Sequence, residues 1–312
     1  ITYENMTSSV PLLRGRPMRG APPPHEPKPP WLKVRAHGSA GYRRLKQLVQ
    51  SLNLHTVCAE ANCPNIGECW DQGTATFMIL GDVCTRSCGY CNVLHGRPQA
   101  LDPNEPNRVG RAVASLRLDH VVITSVDRDD LPDGGASAFA ATVRAIRSAR
   151  PECRIELLIP DFKGQNRALK TVLAEKPDVL NHNIETVRRL YRSVRPAGRY
   201  DLALELLARA AHFTPTIPTK SGLMVGLGET IDEVIETMAD LRKHGCRILT
   251  VGQYLRPSPA NVPLSRYYEP KEFSEIKRVA CGLGFHHVES GPLVRSSYHA
   301  QEQADAATRA AQ

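Results

Sequence analysis

An alternation of two kinds of segment constrains this chain more than any other feature. Short β-branched or apolar runs recur at TFMIL (76–80), HVVITSV (120–126), RIELLIP (154–160), VLNHNI (179–184), SGLMVGL (221–227) and ILTVGQYL (248–255). Between most of them lie segments with helix-like spacing of apolar residues: 100–117, 134–149, 164–175, 186–195 with 201–212, and 230–245. Strands alternating with helices of this length imply βαβ units and a parallel sheet. Six such units predict an α/β fold of the open or partial (β/α)6 barrel kind, with a doubly wound flavodoxin-like sheet as the alternative. In such folds the chemistry sits at the carboxyl ends of the strands. Here each strand ends in polar or glycine-containing sequence: DVCTRSC, SVDRDDLPDGG, PDFKG, NIET, GLGET and QYLRPS.

The first of those loops contains CTRSCGYC, in which Cys84, Cys88 and Cys91 leave three and then two residues between thiols. Three thiolates so close cannot all pair as disulfides, and they are one short of a closed four-ligand site. They suit a 4Fe-4S cluster with one iron left open for another ligand. A zinc knuckle borrowing a fourth ligand such as His95 is the competing reading. Upstream, CAEANCPNIGEC carries Cys58, Cys63 and Cys69 with four and five intervening residues. Pro64, Asn65 and Gly67 make that stretch turn-rich, as wrapping backbone around a cluster requires. Two tricysteine loops fit structural zinc poorly, a six-thiolate binuclear site being the remaining zinc option.

Six of the nine cysteines fall within residues 58–91, which points to metal ligation in a reducing compartment and not to a disulfide scaffold. Cys153, Cys246 and Cys281 stand alone, and buried, inert thiols are expected there. The net charge of +8 favours an acidic partner. That charge is weak evidence for nucleic acid, since no basic tract interleaves with aromatics and only 5% of residues are aromatic, and no nucleic-acid partner is expected. The chain has no apolar run of about 18 residues, so no membrane span is expected. Residues 1–30 are Pro- and Arg-rich and predict an extended or disordered arm. Without an amphipathic helical pattern this arm reads as a bacterial N-terminal arm and not a transit peptide, which implies a cytoplasmic location. Trp31 marks the expected edge of ordered structure, and Leu45, Leu48, Val49 and Leu52 predict a helix over 42–54.

Other loops carry two readings each. GLMVGLGET could bind phosphate at a helix terminus, or form a tight strand-to-helix turn with Glu229 in the first helical turn. DRDDLPDGG concentrates Asp127, Asp129, Asp130 and Asp133, which could orient a cation or cap the next helix. His182, Asn183 and Glu185 sit at a strand's carboxyl end, where Asn and Glu can hold the two hydroxyls of a ribose. His286 and His287 are expected in a core or surface role.

The C-x3-C-x2-C spacing, with Tyr90 in the aromatic position before the last cysteine, resembles the signature of the radical S-adenosylmethionine (SAM) superfamily. With C-x4-C-x5-C and RSSYHA (295–300), residues 28–300 resemble the lipoyl synthase family. ATFMILG, VVITSVDRDDLPDGGA, PDFKG, NHNIETV, PTKSGLMVGLGET, QYLRPS and GPLVRSSYHA carry that resemblance further.

The resemblance implies a radical sulfurtransferase with two 4Fe-4S clusters and S-adenosyl-L-methionine. Cys84, Cys88 and Cys91 would hold the catalytic cluster, whose open iron takes the methionyl amino and carboxylate groups. Cleavage there yields a 5′-deoxyadenosyl radical that removes hydrogen from C6 and C8 of an octanoyl chain on a carrier lysine. Cys58, Cys63, Cys69 and Ser297 would hold an auxiliary cluster that donates the sulfurs, serine being a harder and more labile ligand than thiolate. Tyr90, Asn183, Glu185 and Arg195 are the expected cofactor contacts. Arg295 could meet cofactor or substrate, and Asp133–Gly135 stands where the superfamily often has Gly-Gly-Glu. Implied partners are octanoylated lipoyl domains of 2-oxoacid dehydrogenase acyltransferases, the glycine cleavage H protein, and a flavodoxin or ferredoxin reductant. The expected organisation is a flexible arm (1–30), an extension with the auxiliary loop (31–75), a partial barrel (76–270), and a C-terminal extension with RSSY and a disordered tail (271–312). The two extensions would cover the barrel opening.

Overall fold

A computed structural model describes residues 27–33, 40–60, 63, 65–71 and 74–309. Its strands are β1 (His55–Thr56), β2 (Thr74–Ile79), β3 (Val83–Cys84), β4 (Leu94–His95), β5 (His120–Ser125), β6 (Arg154–Leu158), β7 (Val179–Asn181), β8 (Thr219–Val225), β9 (Ile248–Gln253) and β10 (His287–Gly291). Eight form one open sheet in the order β1-β2-β5-β6-β7-β8-β9-β10, and β3 pairs separately with β4. Only the β1–β2 pairing within the large sheet is antiparallel. Spatial order follows chain order without a reversal, which is the topology of a partial barrel and excludes the doubly wound arrangement.

The apolar runs become strands because each is covered on both sides. All six residues of β2 and of β9 are buried, the pattern expected of parallel strands under helices. The covering helices include Glu105–Leu116, Ala136–Ala149, Asn166–Ala174, Tyr200–Phe213, Ile231–Lys243 and Pro270–Gly282. Each presents an apolar stripe to the sheet, such as Val109, Ala112 and Val113 on the first.

Four expectations need correction. Among the described residues the large sheet has seven parallel strands and not six, because HVESG pairs with β9 along His287–Gly291 although it is too polar to read as a strand. The helix expected over 186–195 is a 3-10 turn, Arg188–Leu190, followed by one helical turn, Tyr191–Val194. The tail expected to be disordered forms a helix, Ala300–Arg309. Ala300, Gln303 and Ala304 share one buried face of it, Ala304 packs on Val179 and Ile248, and Asp305 pairs with Arg154. Finally, Cys153 and Cys246 are buried, but Cys281 is exposed. The N-terminal arm lies, through residue 26, outside the described residues.

Two loops take the structural reading. Gly226 N and Leu227 N donate to the Glu229 carboxylate at 2.6 and 2.8 Å, so those amides are already used. Asp133 accepts from Gly135 N, Ser137 N and Ser137 Oγ at 2.9, 2.8 and 2.6 Å, fastening the start of the helix Ala136–Ala149. Gly135 has φ +92°, and a Cβ there would meet Leu80 Cδ1 at 2.3 Å, so the turn requires glycine.

Candidate active site

CTRSCGYC leaves β3 at the carboxyl ends of the parallel strands and roofs a cavity of about 200 Å³. Cys84, Cys88, Cys91, Tyr90, Asn183, Glu185 and Arg195 all line it, although the sequence spreads them over more than a hundred positions. Its apolar wall includes Val57, Met78, Val126, Leu158 and Ile159. The loop is tied down at several points. Gly89 N donates to the Val194 carbonyl at 2.8 Å, Val262 N to the Gly89 carbonyl at 2.9 Å, and Asn261 Nδ2 to the Cys91 carbonyl at 2.9 Å. Amides also address sulfur: Asp127 N and Arg86 N donate to Cys84 Sγ at 3.3 and 3.4 Å, and Val93 N to Cys91 Sγ at 3.5 Å.

Burial raises the pKa of Glu185, and Arg195, the Asn183 side chain and the Tyr90 hydroxyl act against it. Burial works against the charge on Arg195, yet Tyr90, Tyr191 and Glu185 around it hold its pKa above the ordinary value. Its Nη1 donates to the Asn183 carbonyl at 3.0 Å and the Tyr191 hydroxyl at 3.1 Å. His182 Nδ1 lies 2.8 Å from the Ile159 carbonyl, so it carries the ring proton, and burial pushes the imidazole pKa down to about 4.

Four buried polar atoms on cavity-lining residues have no partner: Ser125 Oγ, His182 Nε2, Asn183 Oδ1 and Arg195 Nε. An unpaired buried polar group costs about 1–3 kcal/mol, so a cavity with four of them is built for a polar ligand. The mixture of acceptors, one guanidinium donor and an apolar wall fits a nucleoside-bearing sulfonium compound such as SAM. The thiols supply the soft donor set an iron–sulfur cluster needs. Burial pushes Cys84 up to about 11 and Cys88 up to about 12, so a metal bound there would have to displace a proton at each. Among the described residues no three His, Cys, Asp or Glu groups converge on one ion position. Cubane ligands, one to each iron, need not do so.

The second tricysteine loop meets the C-terminal segment. Asn65 Nδ2 donates to the Leu293 carbonyl at 2.6 Å, and the Tyr298 hydroxyl donates to Glu68 at 3.2 Å. Cys63 and Cys58 act electrostatically on Cys69, and Arg295 acts on Cys63. Burial raises Cys58 to about 11 and Cys69 to about 12. Ser297 is half-buried in the turn between Arg295 and Tyr298, so RSSY stands against the loop that sequence separates from it by some 230 positions. Asn92 Nδ2 donates to the Glu60 carbonyl at 2.8 Å, joining the two cysteine loops. Asp133, engaged at its own helix start, is not among the cavity-lining residues.

Sequence reasoning missed Ser125, Arg86 and Asp161, and it named His182 beside Asn183 and Glu185 without giving it a role. Each stands in or beside a strand-end loop already marked as functional, but the contacts of Arg86 and Asp161 run between loops and leave no trace in local spacing.

Residues 78–241 match the radical SAM superfamily, and residues 18–63 match the N-terminal domain of lipoyl synthase of that family. The chain is 60% identical over 284 residues to the lipoyl synthase of Rubrobacter xylanophilus, covering 91% of this chain and 88% of that protein. The lipoyl synthase of Koribacter versatilis is 55% identical over 279 residues, covering 89% and 92%. In fold it is similar to crystalline methylornithine synthase, with a TM-score of 0.52 at 13% identity over 81% of this chain and 79% of that one. With two tricysteine loops, an RSSY turn beside one of them and relatives this close over nearly its whole length, the chain belongs to the lipoyl synthase family of the radical SAM superfamily.

Proposed function

We propose that the cavity beneath CTRSCGYC is where this chain performs the family's reaction, the insertion of two sulfur atoms at C6 and C8 of a protein-bound octanoyl-lysine. One observation carries the reading: seven residues dispersed in sequence line a single cavity that also holds four unpaired buried polar atoms. When bound, SAM and the two 4Fe-4S clusters supply hydrogen abstraction and sulfur.

The chain's own residues do the rest. Cys84, Cys88 and Cys91 would hold the catalytic cluster. Asn183 and Glu185 take the ribose hydroxyls, and Tyr90 fixes the Glu185 carboxylate. Arg195 opposes the rise in the Glu185 pKa that burial causes and so favours the ionised acceptor. Val57, Met78, Val126, Leu158 and Ile159 exclude water and give the octanoyl chain an apolar wall. Cys58, Cys63, Cys69 and Ser297 would hold the auxiliary cluster, the serine oxygen being a harder donor than the thiolates.

Carrier domains bearing octanoyl-lysine are the substrate partners, with 2-oxoacid dehydrogenase acyltransferase domains and the glycine cleavage H protein as the specific forms. The +8 charge favours their docking if they are acidic. A flavodoxin or ferredoxin supplies electrons, and the cysteine usage fits the bacterial cytoplasm. No helix among the described residues is long and apolar enough to cross a membrane. We divide the chain functionally as an auxiliary-loop extension (31–75), a radical barrel (76–270) and an RSSY extension (271–312).

Glu185→Gln tests the assignment. SAM affinity should fall roughly 10-fold or more, the loss of one charge-assisted hydrogen bond, while iron content is unchanged. Wild-type SAM affinity in the variant overturns the role given to Glu185.

A further inference from the structure

Arg86 lies between the first two cysteines of CTRSCGYC and has no place in the assignments above. Its side chain is 3% exposed. Nε and Nη2 donate to Asp129 at 2.8 and 2.9 Å, and Nη1 and Nη2 donate to Asp161 at 2.8 and 2.7 Å. Both pairs are bidentate, the strongest and most directional form of this contact. Asp129 belongs to the loop after β5 and Asp161 to the loop after β6, so one head group joins the cysteine loop to two strand ends.

The partners are themselves fixed, and the chain of contacts ends on sulfur. Asp161 accepts from Lys163 N at 2.9 Å. Asp129 N donates to Thr85 Oγ1 at 3.0 Å, and Thr85 N and Oγ1 donate to the Asp127 carbonyl at 3.0 and 2.9 Å. Asp127 N then donates to Cys84 Sγ at 3.3 Å. The Asp127 carboxylate lies 3.5 Å from Arg86 Nε. One buried cation therefore faces three carboxylates directly beside the cysteine loop.

We propose that Arg86 is a positioning residue for the catalytic cluster: clamped between Asp129 and Asp161, its guanidinium fixes Cys84 over β5 and β6, and its charge offsets the carboxylates around it. The inference rests on the reading that Cys84, Cys88 and Cys91 hold that cluster. A cluster gains negative charge on reduction, so uncompensated carboxylates beside it make reduction harder. Lysine keeps the charge but has no planar fork to hold two carboxylates at once, which separates the two contributions.

The test uses the full chain with Arg86→Gln or Arg86→Lys, reconstituted anaerobically. It reads the midpoint potential of the cluster whose electron paramagnetic resonance signal changes on adding SAM, together with iron content, Tm and SAM cleavage. The glutamine variant should show a more negative potential and roughly 10–100-fold slower cleavage, with auxiliary iron retained. The lysine variant should keep the wild-type potential but show an altered SAM-dependent signal. A glutamine variant with wild-type potential and cleavage overturns the proposal. So does equal iron loss from both clusters with a lowered Tm, which would make Arg86 a brace of the fold alone. A Cys84→Ala/Cys88→Ala/Cys91→Ala chain is measured beside them. A SAM-dependent signal surviving there would defeat the cysteine reading itself, which is a different failure.

Discussion

Replacing Arg195 with methionine tests the electrostatics of the cavity in isolation, because methionine retains much of the side-chain volume and removes the charge. The guanidinium bonds the Asn183 carbonyl and the Tyr191 hydroxyl, and acts on Glu185, Tyr90 and Cys88. Hydrogen bonds to charged groups contribute about 1.5–3 kcal/mol, and at about 1.4 kcal/mol per tenfold this is a roughly 10- to 150-fold loss of SAM affinity. The loss should also depend on pH. Burial already raises the Glu185 pKa, and Arg195 opposes that rise, so the variant's carboxyl keeps its proton to a higher pH than wild type. The ionised carboxylate accepts ribose hydroxyls on both oxygens and more strongly than the protonated carboxyl does. Affinity in the variant therefore weakens as pH falls through this raised pKa and recovers above it. Equilibrium binding of SAM to reconstituted protein from about pH 6 to about pH 9 measures both effects. A variant indistinguishable from wild type, or a weakened one with a parallel pH profile, refutes the reasoning.

Two further outcomes concern the barrel and its loops. Lys220 and Glu156, both 0% exposed, pair at 3.0 Å, and Asn181 Nδ2 donates to Glu156 at 2.8 Å. Lys220→Met strands the carboxylate and should cost about 3–5 kcal/mol in urea denaturation, whereas Lys220→Met with Glu156→Gln should cost less. A double variant no more stable than the single one would contradict this. Asp133→Ala removes the helix-start contacts and should lower stability by about 1 kcal/mol, with SAM binding unchanged. Weakened SAM binding there would return Asp133 to the cofactor site.

What the sequence discloses follows from how each feature is encoded. β2, β5, β6, β8 and β9 each contain a short apolar or β-branched run because both their faces are covered, and the cysteine spacings are local, so fold class and ligand loops are legible directly. β10 is not, because HVESG is half-buried at a sheet edge and carries no apolar signal. The helix Ala300–Arg309 hides for a related reason: its buried face is Ala300, Gln303 and Ala304, small or polar residues that resemble a solvated tail. The convergence of RSSY on the Cys58–Cys69 loop, and the clamp from Arg86 to Asp129 and Asp161, join residues 43 to some 230 positions apart. Resemblance anticipates the first. Nothing in local pattern encodes the second, since DRDD and PDFKG read equally well as solvated loops.

Iron and acid-labile sulfide counting on reconstituted chains, paired with an octanoyl-lysine peptide assay, tests the two-cluster account most directly. Wild type should hold about eight irons, and the Cys84→Ala/Cys88→Ala/Cys91→Ala and Cys58→Ala/Cys63→Ala/Cys69→Ala chains about four each. Ser297→Ala should lose iron from the auxiliary site and form no lipoyl product, while the catalytic cluster still cleaves SAM. About eight irons in either triple variant, zinc in place of iron, or full lipoyl formation by Ser297→Ala would contradict the account.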